Sequence, residues 1–136
     1  MNDLNKPKLT IALAKKELNA KFKKVTVKYE NRDGKTISLR DSDDKLVRMI
    51  PTNVQLSPMD CTNVKHDKIN TIFCDVLNVF RNLGMEKISD NIFQYVDSKG
   101  KGFSVFVHIA KYTSSSLFDS GYKDVYIDVA FSSKTY

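Results

Sequence analysis

Tryptophan is absent from this 136-residue sequence, and cysteine and histidine occur only twice each. Cys61 and Cys74 lie thirteen positions apart with no CxxC pattern, so neither a disulfide framework nor a zinc site is indicated. Two histidines leave little material for acid–base catalysis. No phosphate-binding glycine motif is present. These absences predict a protein whose two cysteines are reduced and which has no metal, no cofactor and no enzymatic activity.

Long apolar runs are also missing, since none approaches the roughly 20 residues that a membrane-spanning helix needs. The apolar patch at residues 9–14 is short and is followed at once by lysines. It lacks the cleavage site of a secretory signal peptide. We therefore expect a cytoplasmic protein with no membrane contact.

Charge is present but unevenly placed. The net charge of +6 arises entirely within residues 1–50, where 13 Lys and Arg face 7 Asp and Glu, because residues 51–136 carry nine of each. Such asymmetry indicates a polyanionic or acidic partner. Lysine outnumbers arginine 18 to 4, and lysine is a hydrated point charge rather than a bidentate reader of bases. Contacts to a nucleic-acid backbone are favoured over contacts to base edges.

The basic residues concentrate in two stretches, AKKELNAKFKKVTVK at 14–28 and KGKG at 99–102. The first has a single acid, Glu17. The second is typical either of a hairpin turn with soluble lysines or of a loop that touches a phosphate. The candidate binding residues are Lys15, Lys16, Lys21, Lys23, Lys24, Lys28, Lys99 and Lys101.

Two helices are predicted. The first spans about residues 8–22, with Asn5 or Thr10 as its N-cap and Pro7 near its first turn. Its apolar residues fall on two sides, which indicates a second contact such as a homodimer. The second spans residues 69–83, where apolar residues recur with helical spacing. Asp60 or Asn63 is its expected cap, and Gly84 its expected end.

The remaining segments predict strands. KVTVKYE and KTISLR flank an NRDG turn, and KLVRMI follows and is expected to stop at Pro51. Residues 51–64 are predicted to form a linker, or a loop with one short strand around Val54 and Leu56. NIFQYV, FSVFVHIAKY and KDVYIDVAF follow the second helix. The prediction is one α+β domain over 1–136, with an antiparallel sheet of five to six strands and two helices in the order α-β-β-β-α-β-β-β.

The segment KGFSVFV at 101–107 resembles the main signature of the RNA-recognition motif, which would imply exposed aromatic side chains that stack bases. That signature needs aromatics an even number of residues apart. Phe103 and Phe106 are three apart and point to opposite faces of a regular strand. The sequence therefore does not place the chain in that family.

One catalytic arrangement can be drawn. If the last two strands pair, His108 and Asp128 lie on one face with Ser104 or a tyrosine nearby, as an oriented base requires. A histidine bonded to a structural neighbour explains the same pattern. The acids of DSDD at 41–44 lack the glycine and glutamate of a calcium loop and read as a turn.

The sequence thus predicts a small, non-enzymatic basic protein that docks on nucleic-acid backbone or a nucleoprotein through its lysine-rich surface. The alternative is a protein-binding adaptor or inhibitor, of the kind that a phage or mobile element encodes, which engages an acidic or nucleic-acid-binding surface of its target.

Overall fold

The computed structural model describes residues 8–22, 24–29, 46–57, 67–113 and 122–136. They form two helices and six strands: α1 (Ile11–Lys21), β1 (Thr26–Tyr29), β2 (Leu46–Leu56), α2 (Asp67–Asn82), β3 (Glu86–Ser89), β4 (Ile92–Val96), β5 (Gly102–Thr113) and β6 (Lys123–Ser132).

All six strands join one antiparallel sheet in the order β1-β2-β6-β5-β4-β3. The long strands β2, β5 and β6 are neighbours, and the short strands lie on either side of them. This confirms the predicted α+β class, sheet type and helix count. Neither described helix is long and apolar enough to cross a membrane.

The core lies between the sheet and the two helices. Alternate residues of β5 and β6, such as Val105, Val107 and Ile127, face the helices and are fully buried. Phe80 of α2 meets them with its ring centroid 6.3 Å from that of Phe93 and 6.1 Å from that of Phe131. Each such buried side chain stabilises the fold by about 1.5–3 kcal/mol. We call this side of the sheet the helix face and the other side the open face.

Helix α2 confirms the periodicity in the sequence. Ile69, Val76, Leu77 and Phe80 are buried against the sheet. The helix ends at Asn82, and Gly84, the predicted stop signal, follows with a φ of 84°, a left-handed conformation that favours glycine. The Gly84 and Met85 amides donate to the carbonyls of Arg81 and Phe80, which closes the last turn. The expected caps Asp60 and Asn63 lie outside the described residues.

Helix α1 begins later than predicted, at Ile11, because Thr10 is the N-cap and its Oγ1 accepts the Leu13 amide at 3.1 Å. Its two apolar sides both contact the core of this chain. Ala14 and Leu18 are fully buried, and Ile11 and Leu13 pack partly against the same cluster. The apolar pattern that suggested a homodimer is therefore accounted for within one chain.

One strand end was predicted wrongly, and one strand was not predicted. β2 does not stop at Pro51 but continues to Leu56. The strand expected around Val54 and Leu56 is therefore present, as the second half of β2 and not as a separate element. The sheet accommodates the proline with an irregularity: the register with β6 shifts between Pro51 and Val54, and Asn53 has a φ of 59°. Thr52 fixes it by donating its hydroxyl to the Val125 carbonyl at 2.7 Å.

β3 was not predicted, because its four residues are all exposed and carry no alternating apolar pattern. Conversely, the KTISLR strand predicted after the NRDG turn lies outside the described residues. The described order is thus α-β-β-α-β-β-β-β, with two strands before α2 and four after it.

Candidate polyanion-binding surface along the first helix

The tight turn between β4 and β5 is built around Asp97. Its Oδ1 accepts the backbone amides of Lys99 at 2.8 Å and Lys101 at 2.9 Å. Chiefly the Lys101 amide lowers the pKa of this carboxyl below its ordinary value. Gly100 supplies a φ of 79°, so the chain can reverse direction here. The turn therefore holds both lysines in fixed positions with their side chains in solvent.

Lys8 joins this turn to the start of α1. Its Nζ lies 3.3 Å from Asp97 Oδ2, while the Lys8 side chain remains 67% exposed. Asp97 thus gathers three lysines, two through their amides and one through its ammonium group. Since three lysines share this corner with one carboxylate, and only the Lys8 ammonium pairs with it, the corner keeps an excess of positive charge.

A cleft of about 390 Å³ opens between the first turn of α1 and the β4–β5 turn. Lys8 and Lys101 line it, and its apolar part includes Tyr95 and Phe103, whose ring centroids are 6.1 Å apart. The first turn of α1 contains no acid. Its positive helix end and the two lysines therefore create a positive potential over a partly aromatic floor.

From this cleft α1 leads to the first residue of β1, Thr26. Its 11 residues cover about 16 Å, which is close to the distance between β5 and β1 across three neighbour spacings of the sheet. Lysines follow the whole path. We call the lysine band the set Lys8, Lys15, Lys16, Lys21, Lys24, Lys99 and Lys101.

The band is not uniform. Lys15 is half-buried, and its Nζ lies 5.7 Å from the centroid of the Phe131 ring, where a cation–π contact holds it. Lys21 is exposed but lines a second cleft of about 360 Å³ between α1 and α2. Glu17 and Asp75 line the same cleft, so the potential around Lys21 is mixed.

Five band members are exposed and form no ion pair with another described residue: Lys16, Lys21, Lys24, Lys99 and Lys101. These ammonium groups are hydrated and available to an anionic partner.

The structure therefore brings some of the candidate lysines together and leaves others apart. Lys99 and Lys101 lie beside the start of α1, next to the helix that carries Lys15 and Lys16. Lys23 lies outside the described residues. Lys28 belongs to β1, and only its backbone position is described.

Sequence reasoning missed Lys8, Asp97 and Tyr95. Lys8 lies just before the basic stretch at 14–28, and nothing local linked it to a turn 89 positions later. Asp97 had a signal, because an aspartate at the start of an Asp-Ser-Lys-Gly turn commonly accepts backbone amides. Tyr95 had none, since sequence does not separate cleft aromatics from core aromatics.

The catalytic arrangement is only partly present. β5 and β6 do pair, and His108 lies directly opposite Asp128 on the open face. However, no hydrogen bond joins these two described side chains. The His108 ring stacks on Phe106 with centroids 6.0 Å apart, and the buried Asp128 accepts the Tyr112 hydroxyl. Partial desolvation lowers the pKa of His108, so this ring is neutral near pH 7.

Phe103 and Phe106 lie on opposite faces of β5, as their odd spacing predicted. Phe103 is buried in the core on the helix face, whereas Phe106 packs against the small cluster of Val47 and Ala130 on the open face. They do not form one stacking platform. Among the described residues, no three His, Cys, Asp or Glu side chains converge as metal ligands.

Comparison with known proteins gives no relative: no protein-family model, curated protein or solved structure matches this chain.

Proposed function

We propose that this protein binds the sugar-phosphate backbone of nucleic acid along the lysine band. The observation that carries the proposal is the concentration of five exposed lysines, without described ion-pair partners, on α1, just after it and on the adjoining β4–β5 turn. Five exposed ammonium groups can neutralise up to five phosphates of a bound strand.

The type of basic residue supports backbone contacts. Every described basic residue in 8–29 and in the β4–β5 turn is a lysine, and lysines meet phosphates as point charges without the planar fork that reads guanine. The one described arginine near the band, Arg48, is buried with its guanidinium 5.5 Å from the centroid of the Phe131 ring. We therefore expect little sequence preference.

The cleft at the start of α1 can hold one nucleotide of the bound strand. Lys8, Lys101 and the first-turn amides of α1 favour a phosphate, and Tyr95 offers an aromatic ring for an adjacent base. The open face offers less, because its β6 residues include Asp124 and Asp128.

The test is the salt dependence of binding by the intact chain, measured by fluorescence anisotropy with a labelled single strand and a labelled duplex of mixed sequence. If four or five phosphates are neutralised on a single strand, log K should fall against log salt with a slope of about −3 to −3.5. Affinity should then drop roughly a hundredfold between about 50 and 200 mM salt.

A flat salt response, or no binding to either probe at low salt, would refute the proposal. Polyglutamate of matched charge serves as the comparison. Tight binding to polyglutamate without binding to nucleic acid would instead favour the alternative, a partner protein with an acidic surface.

A further inference from the structure

A polar row crosses the open face of the sheet far from the lysine band. Gln94 of β4 pairs with Ser104 of β5, which in turn pairs with Ser132 of β6. Their exposed fractions are 7%, 0% and 1%. Neither described helix lies on this face, so another part of the chain must contribute to burying these three side chains.

The segment 133–136 contributes to this cover. The Lys134 amide donates to Ser132 Oγ at 3.1 Å, and the Tyr136 amide donates to Gln94 Oε1 at 2.8 Å. Two strand spacings amount to about 10 Å, which four extended residues can span. The segment therefore passes from β6 over β5 to β4, above Ser104.

The side chains of the row bind the main chain of this segment. Both contacts use backbone amides, while the side chains of residues 133–136 are exposed, with Tyr136 at 62%. Ser104 Oγ, at the centre of the row, forms no hydrogen bond with a described residue. A buried hydroxyl without a partner is costly, so the segment satisfies the row incompletely.

We propose that Gln94, Ser104 and Ser132 form a binding site for an extended peptide main chain, and that residues 133–136 are a displaceable strap that occupies it. When the strap lifts, the row presents an amide and two hydroxyls. These groups accept and donate hydrogen bonds to the main chain of a peptide whatever its side chains are.

Thiol labelling of Ser104→Cys tests this inference, in a chain that also carries Cys61→Ser and Cys74→Ser because Cys74 is exposed. Under native conditions the labelling rate reports how often the strap is open. Tyr136→Pro removes the amide that binds Gln94, and Thr135→Pro is the matched control, since the Thr135 amide has no described acceptor.

Labelling should be about two- to ten-fold faster with Tyr136→Pro than with Thr135→Pro, the effect of losing one hydrogen bond. Gln94→Ala removes the acceptor and should have the same effect. Ala130→Cys, buried in the neighbouring row, should label at the same rate in both strap variants.

A capped peptide of residues 131–136 should slow the labelling of Ser104→Cys in the Tyr136→Pro chain in a saturable way. The same peptide ending in proline should protect less. The proposal is overturned if Tyr136→Pro leaves the labelling rate unchanged, or if the peptide gives no protection. Neither readout involves nucleic acid, so the result is independent of the lysine band.

Discussion

Removing one charge of the lysine band at a time tests whether a phosphate backbone follows α1. Lys16→Gln removes an exposed ammonium from the middle of the helix, and Lys101→Gln removes one from the cleft at its start. Lys134→Gln is the matched control, because Lys134 is exposed but follows β6 on the opposite side of the sheet. Glutamine keeps much of the side-chain length in each case.

The expected loss of affinity for each removed lysine follows from counterion release. Each phosphate contact on a single strand contributes about 0.7 to the slope of log K against log salt. At about 0.1 M salt, one lost contact should therefore weaken binding roughly fivefold. Lys15→Gln should have a smaller effect, because the Lys15 ammonium already lies against the Phe131 ring.

The assay is a salt titration of each variant with the same labelled single strand, after circular dichroism has shown an unchanged fold. Lys16→Gln and Lys101→Gln should each reduce the slope by about 0.7, and Lys134→Gln should leave it unchanged. Equal slope losses at all three positions would mean that binding responds only to net charge. That result would refute the assignment of the site to α1.

Three predictions concern stability. Phe80→Ala should lower the free energy of unfolding in urea by about 3–5 kcal/mol, because Phe80 is fully buried, whereas half-buried Val79→Ala should cost clearly less. Gly102→Ala should disrupt the β4–β5 turn, since its Cβ would lie 1.6 Å from the Tyr95 carbonyl oxygen. Gly100→Asn should be tolerated, because asparagine adopts the positive φ that this position requires. Hydrogen exchange of the Lys101 amide should be faster in the first variant and little changed in the second. The pKa of Asp97 is lowered from 3.8, so its carboxylate stabilises the fold above about pH 4 and loses that effect as pH falls through the lower folded-state value. Asp97→Asn should therefore flatten the acid side of the stability profile in thermal melts, and an unchanged profile would contradict this account.

The sequence predicted those features that depend on local pattern. Helix α2 was identifiable because one face of 16 residues repeats with the helical period, and Gly84 marked its end. β5 and β6 were identifiable because long runs in which apolar residues recur at every second position are typical of strands and not of helices. β3 was not identifiable, since four exposed residues carry no pattern and pair only because β4 follows directly.

Features that depend on distant pairing were less accessible. Pro51 locally predicts a strand end, but the pairing of β2 with β6 is strong enough to carry the strand past it. Thr52 secures that passage through a carbonyl 73 positions away. In the same way, the lysine count was visible from sequence, whereas the contact between Lys8 and Asp97 required the fold.

The two sides of the sheet carry different chemistry, and this difference constrains how a polyanion can approach. Exposed lysines follow α1 on the helix face, and the first turn of that helix has no acid. The β6 residues of the open face include Asp124 and the buried Asp128, which raise the cost of bringing phosphates there. A nucleic-acid strand bound to the lysine band would therefore leave the open face accessible. Since the polar row under residues 133–136 lies on that second face, a peptide and a polyanion can occupy the same molecule without competing for one surface.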